Sequence, residues 1–281
     1  MGTSTSYDGP TGSESLLPPW APPASGPEEE GDDADSPQEE DEGESPQQEE
    51  VSPTLEWRGP KSALTHFTND GGSDPSGFST AASGAVQSQG GSRSAAGAAR
   101  SGRSTSVRLG GALSALAQDG ESGLADFLGR QFVGQEAETL LAELVDSVAP
   151  DGADNEEAAA RAAAAETLEV LFEKYAVEDD GLAALEELDG NGVGEVIERY
   201  VEKYIYTRLM QLLASRLENN ATSADAACRM EREIEGYIEE RVKLEKESRD
   251  WLGVDWAGTE GEDLVMEIFT EGYQLIETWE E

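Results

Sequence analysis

Between residues 193 and 218, the sequence places an apolar side chain on every turn of a helix. The recurring residues are Val193, Val196, Ile197, Tyr200, Val201, Tyr204, Ile205, Leu209, Leu212, Leu213 and Leu217. Spacings of three and four residues put these side chains on one face, which predicts a long amphipathic helix facing a core. Because no run shows the strict two-residue alternation of a half-buried strand, the sequence predicts an all-α fold.

The same periodicity continues through residues 107–281. Helices are predicted to begin near Asp154, Thr222 and Thr259, since each is followed three residues later by an acid, a spacing typical of a helix N-terminus. We therefore expect residues 107–281 to form one bundle of about seven helices that folds without the preceding hundred residues.

The segment before this bundle, residues 54–106, has a different composition. A short helix is predicted to begin near Pro60, with Trp57, Leu64 and Phe67 on its apolar side. Gly, Ser and Ala then dominate up to residue 106, and little helix is expected there.

Acidic residues define the segment that precedes it. Residues 1–53 contain fifteen Asp and Glu and no Lys or Arg. Residues 28–50 have no aromatic residue and no Leu, Ile or Val, so they cannot bury enough surface to offset the entropy of ordering. We expect residues 21–53 to be a disordered acidic linker.

Acid also covers the predicted bundle. Residues 119–281 hold forty-two acids against thirteen Lys and Arg, and the whole chain carries a net charge of −41 with five lysines. Acid spread over every helix face favours a halophilic archaeal protein, because a high-salt cytoplasm screens self-repulsion. The alternative is a DNA mimic, which would concentrate its carboxylates on one folded face.

Several functional classes lack their signatures. With one cysteine, Cys228, and one histidine, His66, the chain has neither an intramolecular disulfide nor a Cys/His zinc cluster. No phosphate-binding loop, dinucleotide fingerprint or nucleophile elbow occurs. The sixty acids make no single carboxylate pair diagnostic. We expect a protein that is not an enzyme and needs no cofactor or metal, and that is cytoplasmic because neither a signal peptide nor a membrane-length apolar run is present.

One motif is similar to a calcium-binding loop. The run Asp189-Gly190-Asn191-Gly192 begins like an EF-hand loop, but Val193 and Tyr200 stand where that loop requires acidic or amide ligands. We interpret the motif as a glycine-rich turn between helices. The partly apolar helical pattern around Cys228 predicts a buried or half-buried thiol.

An arginine-bearing segment lies between Asp74 and Asp119, where no acid occurs. Its charged residues are Arg93, Arg100, Arg103 and Arg108. Arginines on a Gly/Ser backbone are candidate phosphate contacts. Without interleaved aromatic residues they are a weak nucleic-acid signal, so packing of this segment onto the acidic helices is the favoured interpretation, and direct nucleic-acid binding is not expected.

The first twenty residues, here the N-terminal tag, have no helix or strand periodicity. The tag opens with small residues and ends on the cluster Leu16-Leu17-Pro18-Pro19-Trp20. Such a cluster is typical of an anchor in a partner's pocket, with packing on this chain's own core as the alternative. The candidate partner-binding residues are Gly2, Thr3, Ser4, Ser6, Tyr7, Gly9, Pro10, Leu16, Leu17, Pro18 and Trp20.

Several short motifs are similar to those of one family. They are Met1-Gly2-Thr3-Ser4, Ser6-Tyr7, Gly9-Pro10 and the Leu16–Trp20 cluster, together with Gly90-Gly91-Ser92-Arg93-Ser94-Ala95-Ala96. These motifs resemble the QatB family, the B component of the four-gene Qat antiphage defence system. Asp8, where the family more often has glycine, and the acidic linker depart from it.

The resemblance implies partners and a role. QatB-like proteins are encoded beside an ATPase, a protein similar to 7-cyano-7-deazaguanine synthase, and a TatD-like nuclease. The implied role is a non-catalytic component that offers its tag to the synthase-like partner. Removal of Met1 would leave the amine of Gly2 partly neutral near pH 7, and thus a candidate nucleophile for covalent modification there. A scaffold whose tag only anchors the complex is the alternative.

Overall fold

The computed structural model describes residues 58–72, 75–132, 136–220, 223–243 and 250–278. The tag and the acidic linker lie outside these residues. Within them all regular structure is helical, which confirms the predicted all-α class. The elements are α1 (Arg58–Asn69), α2 (Pro75–Ser88), α3 (Ser92–Ala98), α4 (Arg100–Leu128), α5 (Ala137–Val148), α6 (Asn155–Lys174), α7 (Val177–Asp180), a 3-10 helix (Gly181–Glu187), α8 (Gly190–Asn220), α9 (Ala224–Arg241) and α10 (Thr259–Glu277).

Helix α8 forms the centre of the bundle and packs against α1, α4, α6, α9 and α10. It contains the predicted stripe of residues 193–218, and its tyrosines Tyr200 and Tyr204 are fully buried. Tyr204 contacts the ring of Phe269 on α10, with centroids 5.3 Å apart. Among the stripe residues whose side chains are described, Leu212 differs, because 41 % of its surface stays exposed although its spacing predicts burial.

Most of the described residues in the segment 71–106 are helical, so the prediction of little helix there was wrong. It forms α2, α3 and the first turns of α4. Its buried alanines include Ala81, Ala82, Ala85, Ala95 and Ala96. Small side chains allow these helices to pack closely, and this tertiary contact outweighs the poor intrinsic propensity of Gly and Ser.

The same segment is joined to the C-terminal helix. Ser83 donates a 2.6 Å hydrogen bond to the carbonyl of Glu277, and the Glu277 carboxylate accepts one from the Ser92 amide at 2.9 Å. The expected boundary at residue 107 falls inside α4, and residues 51–281 form one compact unit. Independent folding of residues 107–281 stays a prediction.

The starts of α6, α9 and α10 lie at or next to the residues that the sequence predicted. Asp154 caps α6 as predicted, accepting hydrogen bonds from the amides of Glu156 and Glu157. Helix α9 begins one residue later than predicted, with Ser223 as its cap. Helix α10 follows Gly258, with Thr259 as its first helical residue.

The glycine-rich motif after Asp189 forms the first turn of α8, so the predicted turn between helices is limited to Leu188 and Asp189. Asp189 accepts a 2.8 Å hydrogen bond from the Gly192 amide in the first turn of α8. Its carboxylate therefore serves as a helix cap. The predicted burial of Cys228 was wrong, since the thiol is exposed on α9.

Candidate functional site

The structure brings three of the four candidate arginines together. Arg93 lies exposed on α3, whereas Arg100, Arg103 and Arg108 lie on α4. Spacings of three and eight residues put these three on neighbouring parts of one helix face. They line a cavity of about 380 Å³. We call this cavity the arginine groove; its lining residues are Arg100, Arg103, Ser104, Val107, Arg108, Trp256, Ala257 and Glu262.

The guanidinium groups of the groove lack acidic partners within the described part of the chain. The ion pairs found there involve Arg130, Arg161, Lys174 and Lys203. Arg103 makes one long hydrogen bond, 3.4 Å from Nη2 to the Gly97 carbonyl, and its buried Nε has no partner among the described residues. The segment does pack against the acidic helices α6 and α10, as the sequence favoured, but among the described residues its arginines form no ion pair with them.

The apolar wall of the groove is rigid. Trp256 is 4 % exposed, and its indole nitrogen donates to the Ser114 hydroxyl at 3.0 Å and to the Trp251 carbonyl at 3.2 Å. Gly110 faces the indole ring so closely that an added methyl group would overlap it. The position of the ring is thus held by α4 together with the carbonyl of Trp251.

A buried polar network fixes the first turn of α4, which carries Arg100 and Arg103. Glu156, from the first turn of α6, accepts hydrogen bonds from the amides of Ser101 at 3.0 Å and Gly102 at 2.9 Å. The hydroxyl of Tyr204 donates to the same carboxylate at 2.7 Å. Glu156 therefore caps α4 from a different helix and supplies the negative charge that a helix N-terminus favours.

Two tyrosines hold this turn against α8. Tyr200 donates a 3.0 Å hydrogen bond to the carbonyl of Gly102. A Cβ at Gly102 would come within 2.6 Å of the Tyr204 ring, so this position needs glycine for close approach. The network was not predicted, because no sequence signal connects Glu156 to residues 48 to 55 positions away.

The pKa values of the network follow from these contacts. Burial alone would raise the pKa of Glu156, but hydrogen bonds from Ser101, Gly102 and Tyr204 outweigh burial and lower it below its usual range. Burial, with the neighbouring Tyr273 and Glu156, raises the pKa of the Tyr204 hydroxyl. Glu156 is thus ionised and Tyr204 protonated at neutral pH.

A second cavity, of about 340 Å³, lies between α6, α8 and the end of α9. Glu202 lies on the wall of this cavity, and its pKa is raised to about 7. The main cause is burial of the carboxyl group, and the second is the negative charge of Glu239. Beside Glu202 on α8, Lys203 pairs with Glu235 and lies 3.5 Å from Glu166. Lys203 thus joins three helices, and this role is structural.

Other site types are not found in the described ranges. They contain no group of three or more His, Cys, Asp or Glu side chains arranged to hold a metal ion. None of the described helices has the length and apolarity needed to cross a membrane. The tag residues from Gly2 to Trp20 lie outside the described residues, and their role stays a prediction.

These features define a strongly acidic protein whose described residues form an all-α bundle with a capped central helix and a cationic groove. The family model described as QatB, Qat anti-phage system associated protein QatB, matches residues 90–276. This range is 187 of the 281 residues, and the chain belongs to that family. It includes Arg93 and all of the arginine groove. No match was found among curated proteins or among solved structures.

Proposed function

We propose that this chain is a non-catalytic component of a Qat anti-phage system that binds a 7-cyano-7-deazaguanine synthase-like protein and presents its N-terminal tag to that partner. The observation that carries the proposal is the family match over residues 90–276. The tag precedes the matched range, so its role is supported by the motif resemblance of residues 1–20.

The chemistry proposed for the tag is acylation of the Gly2 amine. The partner would activate a deazaguanine carboxylate with ATP, forming an acyl adenylate and releasing pyrophosphate. The neutral amine of Gly2 attacks the acyl carbon, an amide bond forms, AMP leaves, and the amine loses a proton to solvent. Small residues after Gly2 leave the amine unhindered, and the cluster at residues 16–20 anchors the segment in the partner.

Mass spectrometry of the N-terminal peptide tests this chemistry directly. The full chain is produced alone and together with the synthase-like partner, and the mass of the peptide that begins at Gly2 is compared. We expect the mass of one deazaguanine acyl group only after co-expression. An unmodified Gly2 together with full antiphage activity would refute acylation and leave the scaffold role.

A binding measurement tests the anchor separately. Trp20→Ala should weaken binding of the partner by about 2 kcal/mol, a roughly thirtyfold higher Kd, because a buried Trp is a frequent hot spot. Ser13→Ala, a polar position of the same tag, serves as the matched control and should bind normally. Normal binding by Trp20→Ala would remove the anchor from the proposal.

A further inference from the structure

We propose that the arginine groove binds the phosphate group of a small phosphate-bearing ligand of nucleotide size. The first argument is charge. Three guanidinium groups lie together on α4, and within the described residues none of them forms an ion pair, in a chain with a net charge of −41. Arginine presents its donors in a fork that fits phosphate oxygens in pairs.

The second argument is how the donors are held. The buried Nε of Arg103 has no partner among the described residues, and a buried donor without an acceptor costs free energy. Because this nitrogen has almost no accessible surface, an anion in the groove would instead accept from the outer Nη2 of Arg103, which makes only a long hydrogen bond of 3.4 Å to the Gly97 carbonyl. Arg100 and Arg108 are exposed, so both are free to close on the same anion.

The site is distinct from the N-terminus of α4. The amides of Ser101 and Gly102 in that first turn already donate to the carboxylate of Glu156. The positive end of the helix is therefore satisfied within the protein. The cationic character of the groove comes from its side chains.

The third argument concerns the size of the ligand. The groove encloses about 380 Å³, and this volume is within the range of small-molecule sites. The apolar ring of Trp256 and the side chain of Val107 lie on its wall. A long nucleic acid would extend beyond the groove and would be repelled by a chain with a net charge of −41. A small anion avoids this repulsion, because salt screens charges beyond about 10 Å at 0.1 M.

Isothermal titration of the full chain with ADP tests the proposal. ADP should bind at 1:1 stoichiometry, inorganic pyrophosphate should compete with it, and adenosine should bind at least tenfold more weakly than ADP. Adenosine binding as tightly as ADP, or no binding of ADP or pyrophosphate, would overturn the phosphate site. A twelve-nucleotide oligothymidine that binds more tightly than ADP would overturn the small-ligand class.

A pair of matched double variants locates the site. Arg100→Gln with Arg108→Gln removes the two exposed groove arginines and should raise the Kd for ADP at least tenfold. Arg93→Gln with Arg229→Gln removes the same charge from exposed positions outside the groove, and its Kd should stay within twofold of the original. An equal loss of ADP affinity in the two double variants would show a general effect of charge and would refute the site.

A third variant adds charge without removing an arginine. Ser104→Glu places a carboxylate at an exposed groove position, and it should abolish binding of ADP while the circular dichroism spectrum stays unchanged. Unchanged affinity in this variant would contradict the proposal. Because these measurements use the chain alone, their outcome is independent of the modification of Gly2.

Discussion

Replacing Glu156 with alanine removes an acceptor of three hydrogen bonds. Two come from the amides of Ser101 and Gly102 in the first turn of α4, and one comes from the hydroxyl of Tyr204. The fully buried Tyr204 would be left with an unsatisfied hydroxyl, at a cost of about 1–3 kcal/mol. Loss of a helix cap costs about 1 kcal/mol more. Since Glu156 is only half-buried, water replaces part of the loss, and we expect a decrease of about 1–3 kcal/mol in the free energy of unfolding.

Urea unfolding followed by circular dichroism, at one fixed concentration of potassium chloride, measures this change. Tyr204→Phe removes the hydroxyl alone, and the double variant with Glu156→Ala closes a cycle whose coupling energy should be about 1–2 kcal/mol. Glu169→Ala, an exposed acid on the same helix, is the control and should change stability by less than about 0.5 kcal/mol. A similar small effect for Glu156→Ala, or a coupling energy near zero, would refute the trans-capping role.

The pH dependence of the same variants gives a second test. Because the pKa of Glu156 is lower in the folded state than its ordinary value of 4.5, its contribution to stability is complete above that value. The contribution is lost as the pH falls through the folded pKa. The difference in stability between the natural chain and Glu156→Gln should therefore be largest near neutral pH and shrink below about pH 4.5. A difference that grows on acidification would contradict this assignment.

Three further outcomes are expected. Because burial raises the pKa of Glu202 to about 7, its ionisation lowers the stability of the fold as the pH rises through that value. After allowance for solvent screening, Glu202→Gln should raise the free energy of unfolding by about 1–2 kcal/mol at pH 8 and by little at pH 5. A change in stability that does not depend on pH would argue against this assignment. Gly110→Ala should lower the free energy of unfolding by about 1–3 kcal/mol, because the added methyl group overlaps the Trp256 ring. The control Gly97→Ala, whose methyl group meets no neighbouring atom within 4 Å, should not destabilise the fold. Equal melting temperatures of the two variants would disprove the close approach. Potassium chloride should raise the melting temperature by screening acidic repulsion, and a decrease would count against adaptation to high salt.

The sequence by itself determined the features that depend on near neighbours. Apolar spacing over residues 193–218 gave the central helix and most of its buried face. The cap at Asp154 was predictable, because a helix cap joins groups two or three residues apart. Leu212 follows the same spacing and is exposed, since periodicity does not state which part of a stripe a partner helix covers.

Only the tertiary structure determined the secondary structure of the segment 71–106. Gly and Ser give this segment a low helix propensity, and its helices form because alanine faces pack against neighbouring helices. The decisive contacts, from Ser83 and Ser92 to Glu277, join residues more than 180 positions apart. No local pattern encodes such a pairing.

The arginine groove also depends on contacts between residues that are distant in the sequence. The sequence identified the charged residues and favoured packing of their segment against acidic helices, which the structure shows, but it did not predict a cavity between them. The structure places the wall of Trp256 beside α4 through a hydrogen bond to Ser114, 142 positions away. It also fixes the start of α4 through Glu156, 54 positions from Gly102. Sequence spacing sets which side chains share a helix face, whereas a cavity needs a second surface, and the packing of distant segments supplies that surface.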